Sequence, residues 1–190
     1  MTDRVEGEVG RLIVRTGDGE GKSTAAFGMA LRAWAQGWSV GVHQFVKSPR
    51  WRLGERAAFE ALGELHRTTG QGGPVEWRTL GGGRTGLRAT EGVDHAALAR
   101  AGWDAVAEQL AAQVHRFYVL DEFTYPLARG WVDAAAVLAA LRNRPGCQHV
   151  VITGRGAPDA LLEIADQVSD IAAVKHPLSQ GVRAQPGLEW

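Results

Sequence analysis

A glycine-rich segment near the start of the chain limits the possible folds more than any other feature. The segment reads TGDGEGKST over residues 16–24; it follows the apolar run Leu12-Ile13-Val14 and precedes the helix-forming run AAFGMAL. An apolar run, a glycine loop and a helical run in this order predict a strand, a tight loop and a helix. Phosphate-binding loops occur in this context, so the segment predicts a nucleotide site.

The residue types in the segment suit contact with phosphate. Glycines allow the backbone to curl, so that successive N–H groups and the positive end of the helix face one point. Lys22 supplies a mobile positive charge for phosphate oxygens, and Ser23 supplies a hydroxyl for a magnesium ion. The residues of the predicted site are Thr16, Gly17, Asp18, Gly19, Glu20, Gly21, Lys22, Ser23 and Thr24.

The spacing of the segment differs from that of the general motif G-x-x-x-x-G-K-[ST]. The first glycine of that motif falls at Thr16, and Gly17 stands one residue nearer to Lys22. Either the loop is one residue shorter than the usual form, or Thr16 serves as its entry. The alternative without a ligand is a plain tight turn between a strand and a helix.

Apolar runs alternate with helical patterns along the rest of the chain. Strands are predicted at residues 11–16, 39–45, 75–80, 116–120, 149–153 and 168–174, and helices at 22–36, 53–62, 94–114, 133–142 and 158–165. This alternation favours one α/β domain over residues 1–190, with a doubly wound, mostly parallel sheet. In such sheets, ligands bind at the carboxyl ends of the strands.

Residues 70–92 carry eight glycines and little periodicity. They predict a long, mobile loop, in which the only candidate strand is residues 75–80. Loops of this length are uncommon in compact domains and are often functional.

Two further elements are predicted at the carboxyl edge of the sheet. Asp121 and Glu122 directly follow the apolar run FYVL, which is the Walker B pattern of a magnesium site. Arg155 lies in the sequence TGRG after another predicted strand, where it can contact phosphate. Each element also has an interpretation without a ligand. Asp121 and Glu122 would then cap a turn, and Arg155 would be a solvated side chain in a glycine turn.

Composition excludes several classes of partner. The 190 residues carry 21 basic and 21 acidic side chains, so no global positive field favours nucleic acid. No apolar run approaches the length needed to span a membrane. Cys147 is the only cysteine, so no intrachain disulfide can form, which fits a cytoplasmic location.

Taken together, the motifs resemble those of the P-loop corrinoid adenosyltransferases, which act on cob(I)alamin or cob(I)yrinic acid a,c-diamide. The resemblance runs from about Leu12 to Trp190 in consistent order. The segments that carry it are residues 16–28, Arg32, residues 44–47, Gly54-Glu55, residues 119–122, Arg144-Pro145, residues 153–156, Ala165-Asp166, Lys175-His176-Pro177, Gly181, Ala184-Gln185 and residues 187–189. A shortened phosphate loop is itself a trait of that family.

The resemblance implies a three-layer P-loop NTPase (RecA-like) domain, a homodimer, that transfers the 5′-deoxyadenosyl group of ATP to the Co(I) centre of a corrinoid. Triphosphate leaves, and Mg²⁺ or Mn²⁺ assists. Lys22 and Glu122 are the implied catalytic residues, and the implied metal-binding residues are Ser23, Asp121 and Glu122. A flavoprotein is the implied reductant of cobalt, and Arg155 joins the nucleotide contacts.

This chain departs from the family pattern at four positions, of which Ser23 in place of the commoner threonine is chemically mild. Glu20 replaces a lysine inside the loop, where a carboxylate opposes phosphate unless it points outward or pairs with a cation. Arg84 and Gly86 replace a phenylalanine and a tryptophan thought to crowd the lower face of the corrinoid; Trp77 and Trp51 are candidate substitutes. Two other functions therefore stay open: a non-catalytic ATP- and corrinoid-binding module, and a generic P-loop ATPase.

Overall fold

The computed structural model describes residues 9–48, 53–83, 92–176 and 181–188 of the chain. It contains a parallel sheet of six strands in the order β3-β2-β4-β5-β1-β6. The strands are β1 Leu12–Thr16, β2 Val40–Gln44, β3 Val75–Thr79, β4 Phe117–Asp121, β5 His149–Thr153 and β6 Gln167–Asp170. The helices are α1 Lys22–Ala35, α2 Gly54–Thr69, α3 His95–Ala111, α4 Thr124–Ala128, α5 Ala134–Asn143 and α6 Asp159–Ile164.

Two apolar cores cover the two faces of the sheet, because successive strand side chains point to opposite faces. On one face, Ile13, Val42 and Val119 pack against α1 and α2. On the other face, Val14 and Leu120 pack against α3, α5 and α6. The predicted three-layer α/β fold is confirmed.

Sequence signals at several helix ends act as predicted. The side chain of Asp133 accepts hydrogen bonds from the first backbone N–H groups of α5, which have no partner within the helix. Gly37 follows the end of α1 with φ of 78°, a left-handed conformation that glycine adopts without a steric cost.

The structure differs from the prediction in the length and number of helices. α2 extends to Thr69, well beyond the predicted end at residue 62. α4 was not predicted, since its five residues are too few to show a helical period. The strand predicted near 75–80 is confirmed as β3, which pairs with β2 and interrupts the loop predicted over residues 70–92.

None of the helices in the described ranges combines the length and the apolar character that a membrane span requires.

Candidate nucleotide site

The glycine loop connects β1 to α1 at the carboxyl edge of the sheet, and two glycines give it its shape. Gly17 and Gly21 have φ values of 97° and 93°, and Gly21 is the N-cap of α1. The loop also rests on the chain after β6, where the Gly19 N–H donates to the Ile171 carbonyl at 2.6 Å. The predicted strand, loop and helix are confirmed at this point.

A cavity of about 470 Å³ opens in front of α1. It is lined by the second half of the glycine loop and by residues from five other segments. The lining residues are Glu20, Gly21, Lys22, Ser23, Thr24, Lys47, Glu55, Glu122, Arg155 and Leu188. The structure therefore brings Lys22, Ser23, Glu122 and Arg155 to one place, although they come from three segments that are far apart in the sequence.

The first half of the predicted nucleotide segment lies behind the cavity. The Thr16 hydroxyl is buried and accepts a hydrogen bond from the Ala157 N–H at 3.3 Å. Gly17 and Gly19 pack against residues 170–172, and Asp18 is exposed. These residues shape the loop, whereas residues 20–24 face the cavity.

Lys22 lies in a site that favours an anionic ligand. Its side chain is buried, and its ammonium donates to the Gly19 carbonyl of its own loop. Burial lowers the pKa of Lys22, and the positive charge of Arg155 lowers it further, although Glu122, Asp18 and Glu20 oppose this. A bound phosphate chain would relieve the repulsion between the two cations.

The Asp121 side chain accepts several hydrogen bonds within the site. It is fully buried, and its Oδ2 accepts from Gln44 at 2.9 Å and from Lys47 at 3.2 Å. Its Oδ1 accepts from the Thr153 hydroxyl at 2.8 Å. Burial raises the pKa of Asp121, but the Lys47 charge and hydrogen bonds from Ser23, Gln44 and Thr153 outweigh it and lower the pKa overall. The carboxylate is therefore ionised, with both oxygens occupied.

Glu122 faces the cavity directly. Its backbone N–H donates to the Thr153 hydroxyl at 3.0 Å, and its φ of 59° turns the chain sharply at the end of β4. Val46, which follows the neighbouring strand β2, likewise has a positive φ, of 67°. Burial raises the pKa of Glu122, and the adjacent Asp121 charge raises it further. A nearby cation would favour its ionised form.

Arg155 is positioned by the loop after β5. The Arg155 carbonyl accepts a hydrogen bond from the Thr124 hydroxyl at 2.8 Å. Gly154 leaves room for this approach, because a Cβ at that position would collide with Thr124. The loop thus holds the Arg155 side chain against the same cavity as Lys22.

The unusual Glu20 has a histidine as its polar partner. Its Oε1 lies 2.8 Å from Nε2 of His176, which is in the segment after β6. This contact gives the Glu20 carboxylate a polar side-chain partner. It also links the loop to the C-terminal part of the chain.

The sequence prediction missed Lys47, Glu55 and Leu188 as members of the site. Lys47 and Glu55 lie in segments that carry the resemblance, but no spacing rule connects them with the glycine loop. Trp77, a candidate replacement for the missing aromatics, packs instead between Phe27 and Phe59, with ring centroids 5.4 and 5.8 Å away. Trp51, Arg84 and Gly86 lie outside the described residues.

Gly17→Ala tests the shape of the loop. An added Cβ would lie 2.5 Å from the Ile171 carbonyl oxygen and 2.6 Å from the Ile171 nitrogen, and the left-handed φ adds roughly 1–2 kcal/mol of strain. We expect ATP affinity, measured by titration calorimetry, to fall by about 10-fold or more, since the loop must move.

The matched control is Gly28→Ala in α1. An added Cβ at Gly28 meets no atom within 4 Å. Because glycine is unfavourable inside a helix, this variant should be more stable by about 0.5–1 kcal/mol and bind ATP normally. Equal ATP affinity in the two variants would contradict the assignment.

Comparison with known proteins agrees with this geometry. The sequence model of the ATP:corrinoid adenosyltransferase BtuR/CobO/CobP family matches residues 8–190. The corrinoid adenosyltransferase CobA of Salmonella typhimurium is 40% identical over 197 residues, covering 100% of this chain and 94% of that protein. The corrinoid adenosyltransferase of Pseudomonas aeruginosa is 39% identical over 183 residues, covering 96% and 85%. The chain therefore belongs to the ATP:corrinoid adenosyltransferase family.

Proposed function

We propose that the protein transfers the 5′-deoxyadenosyl group of ATP to the Co(I) centre of a corrinoid and releases triphosphate. The observation that carries the proposal is the cavity in which Lys22, Ser23, Glu122 and Arg155 meet at the end of the glycine loop. The family match over residues 8–190 supports the identity of both substrates.

In the proposed reaction, the Co(I) electron pair forms a bond to the 5′-carbon of ATP. The bond between that carbon and its oxygen breaks, and triphosphate leaves with the electron pair. The protein must therefore stabilise negative charge that grows on the leaving group and aim the carbon at cobalt. No proton is removed in this step, so no general base is required.

The positive side chains of the cavity suit this task. Lys22 is held at the start of α1, where backbone N–H groups and the helix dipole also favour an anion. Arg155 approaches from the loop after β5, so the two cations come from different elements of the sheet edge. We propose that they hold the triphosphate as it leaves.

The oxygen donors of the site fit a magnesium ion. Ser23 and Glu122 line the cavity and offer a hydroxyl and a carboxylate, which are ligand types that Mg²⁺ prefers. Both oxygens of Asp121 already accept hydrogen bonds, so Asp121 suits an outer position in which it orients Ser23. When bound, the ion would neutralise charge on the triphosphate.

The decisive experiment supplies ATP, Mg²⁺ and chemically reduced corrinoid to the purified protein and identifies both products. Cobalamin and cobinamide are compared side by side, which also reports the preferred corrinoid. We expect an adenosylcorrinoid and triphosphate in equal amounts. Release of ADP or phosphate without an adenosylcorrinoid would instead indicate an ATPase. Tight binding of adenosylcorrinoid without turnover would indicate a binding module.

Three further properties are proposed from the family resemblance. They are a homodimeric state, a cytoplasmic location and a flavoprotein as the reductant of cobalt. Light scattering coupled to size-exclusion chromatography tests the first, and a mass equal to one chain of 20.4 kDa would contradict it.

We expect Glu20→Gln to bind ATP about two- to five-fold more tightly at low salt. The substitution keeps the size of the side chain but removes a negative charge from a cavity that receives an anion. The gain should shrink as salt rises, because mobile ions screen exposed charges. Calorimetric titrations at two salt concentrations measure it, and weaker binding by the variant would contradict the expected repulsion.

A further inference from the structure

A second cluster of metal-ligating side chains lies on the α3 face of the sheet. It consists of His43 on β2, Glu76 on β3 and His115 just before β4. One candidate ligand atom from each residue lies within 4.8 Å of the other two, and no other such group occurs in the described ranges. We call these three residues the His-Glu-His cluster.

The sheet brings the three residues together through its register. Gly41, two residues before His43, pairs with Glu76 on one side and with Tyr118 on the other. The His115 ring occupies the space over Gly41, where an added Cβ would lie 2.9 Å from the ring Nε2. Strand pairing therefore positions the residues of the cluster, and the absence of a side chain at Gly41 leaves space for the His115 ring.

The His-Glu-His cluster contains polar atoms that have no partner. His43 is completely buried, and neither of its ring nitrogens makes a hydrogen bond of good geometry, although the Gln109 side chain lies near enough to interact with the ring. Hydrogen bonds are also lacking at Nδ1 of His115 and at Oε1 of Gln109, which lies on α3 beside Glu76. Buried imidazole nitrogens are costly to leave unsatisfied, so their presence here requires an explanation.

The residue types of the cluster suit a cation. The two imidazoles offer nitrogen electron pairs, and Glu76 offers a carboxylate oxygen that faces His115 and Gln109. One carboxylate and two imidazoles form a common ligand set for zinc.

Glu76 is the most exposed member of the cluster. The Glu76 side chain is 30% exposed and that of His115 is 8% exposed, whereas His43 lies beneath them. Arg78 pairs with Oε1 of Glu76, which leaves Oε2 directed at His115 and Gln109. An ion entering past Glu76 would displace the contact of 2.8 Å between His115 and that oxygen.

We propose that the His-Glu-His cluster binds a divalent transition metal of the zinc class, with ligands from His43, Glu76 and His115. Ligand bonds of about 2.0–2.1 Å place the donor atoms of a tetrahedral site about 3.3–3.4 Å apart, so the 2.8 Å contact between His115 and Glu76 widens when the ion binds. This site shares no residue with the proposed magnesium site, and its imidazoles suit zinc, whereas the oxygen donors of the cavity suit magnesium. Water takes the fourth position, and the ion ties together β2, β3 and the segment just before β4.

The test uses the full chain after metal removal by a chelator. Zn²⁺ is added in competition with a chromophoric chelator, and Co²⁺ is added separately to record its visible spectrum. We expect one Zn²⁺ per chain, the intense bands of tetrahedral Co²⁺ and a higher thermal midpoint with Zn²⁺. Binding well below one equivalent, or a Co²⁺ spectrum typical of the hydrated ion, would overturn the proposal.

Substitutions locate the ion. His43→Leu and Glu76→Gln should weaken Zn²⁺ binding by at least ~100-fold and remove the Co²⁺ bands. His66→Gln on α2 is the control, because His66 bonds the Gly72 carbonyl and lies outside the cluster. Circular dichroism checks that each variant folds. Unchanged Zn²⁺ affinity in the folded cluster variants would assign the ion to another site.

Crystals of the unmodified protein soaked in Zn²⁺ give an independent answer if a variant does not fold. Anomalous diffraction at the zinc edge should place a peak among the three side chains. A peak elsewhere, or none, would overturn the proposal.

Discussion

Lys22→Ala is expected to lower the rate of adenosyl transfer by about 10²–10³-fold, the loss typical of removing one charge-stabilising group from an active site. Lys22 is buried at the start of α1 and faces the cavity beside Arg155. Without it, the departing triphosphate loses its nearest side-chain cation in the glycine loop. Steady-state assays of adenosylcorrinoid formation with saturating ATP measure the effect.

Two variants show whether the Lys22→Ala loss is specific. Lys22→Arg keeps the charge but not the compact ammonium, so we expect partial activity. Arg142→Ala removes a positive charge from the exposed surface of α5 and should leave the rate unchanged. Near-normal activity of Lys22→Ala, with fold and stability intact, would contradict the proposed site.

Asp121→Ala is expected to lower the free energy of unfolding by about 3 kcal/mol, because a buried charge loses its counter-ion. Its carboxylate is completely buried and accepts hydrogen bonds from Gln44, Lys47 and Thr153. The Lys47 side chain is 21% exposed, so part of its charge can reach water and the loss stays near the lower end of the usual range. Urea denaturation followed by circular dichroism measures the change.

The Asp121 prediction has a matched pair of controls. Asp121→Asn keeps the shape and one acceptor oxygen, so it should lose less stability than Asp121→Ala. Asp104→Ala removes an exposed carboxylate from α3 and should change the free energy of unfolding by less than ~0.5 kcal/mol. If Asp121→Ala and Asp104→Ala had the same urea midpoint, the buried network would carry no stability.

Much of the fold was predictable because the strands are short, apolar and bounded by glycine or charged residues. Two examples are Phe117–Asp121 and His149–Thr153. Their residues are almost all buried, and both strands end at the candidate site. The edge strand Val75–Thr79 was harder to predict, because it is only half-buried and lies among glycines. The end of α2 was missed because a mixed polar surface covers its last two turns.

The candidate site was predictable where residues adjacent in sequence act together. Residues 20–24 belong to a recognisable glycine-rich motif, and Asp121 and Glu122 directly follow an apolar strand. Lys47 and Leu188 reach the cavity from distant segments, and only the strand order places them there. The contact of Glu20 with His176 spans 156 residues and likewise has no local signal.

The backbone at Val46 and Glu122 sets a limit on engineering this chain. Both residues hold positive φ values, of 67° and 59°, which cost a non-glycine residue roughly 1–2 kcal/mol each. A library screened only for heat resistance would therefore enrich glycine at position 122, whereas at position 46 glycine would also lose the packing of Val46 against the core. At position 122 that enrichment would remove the carboxylate from the cavity, so a thermostable variant found in this way would be a poor catalyst.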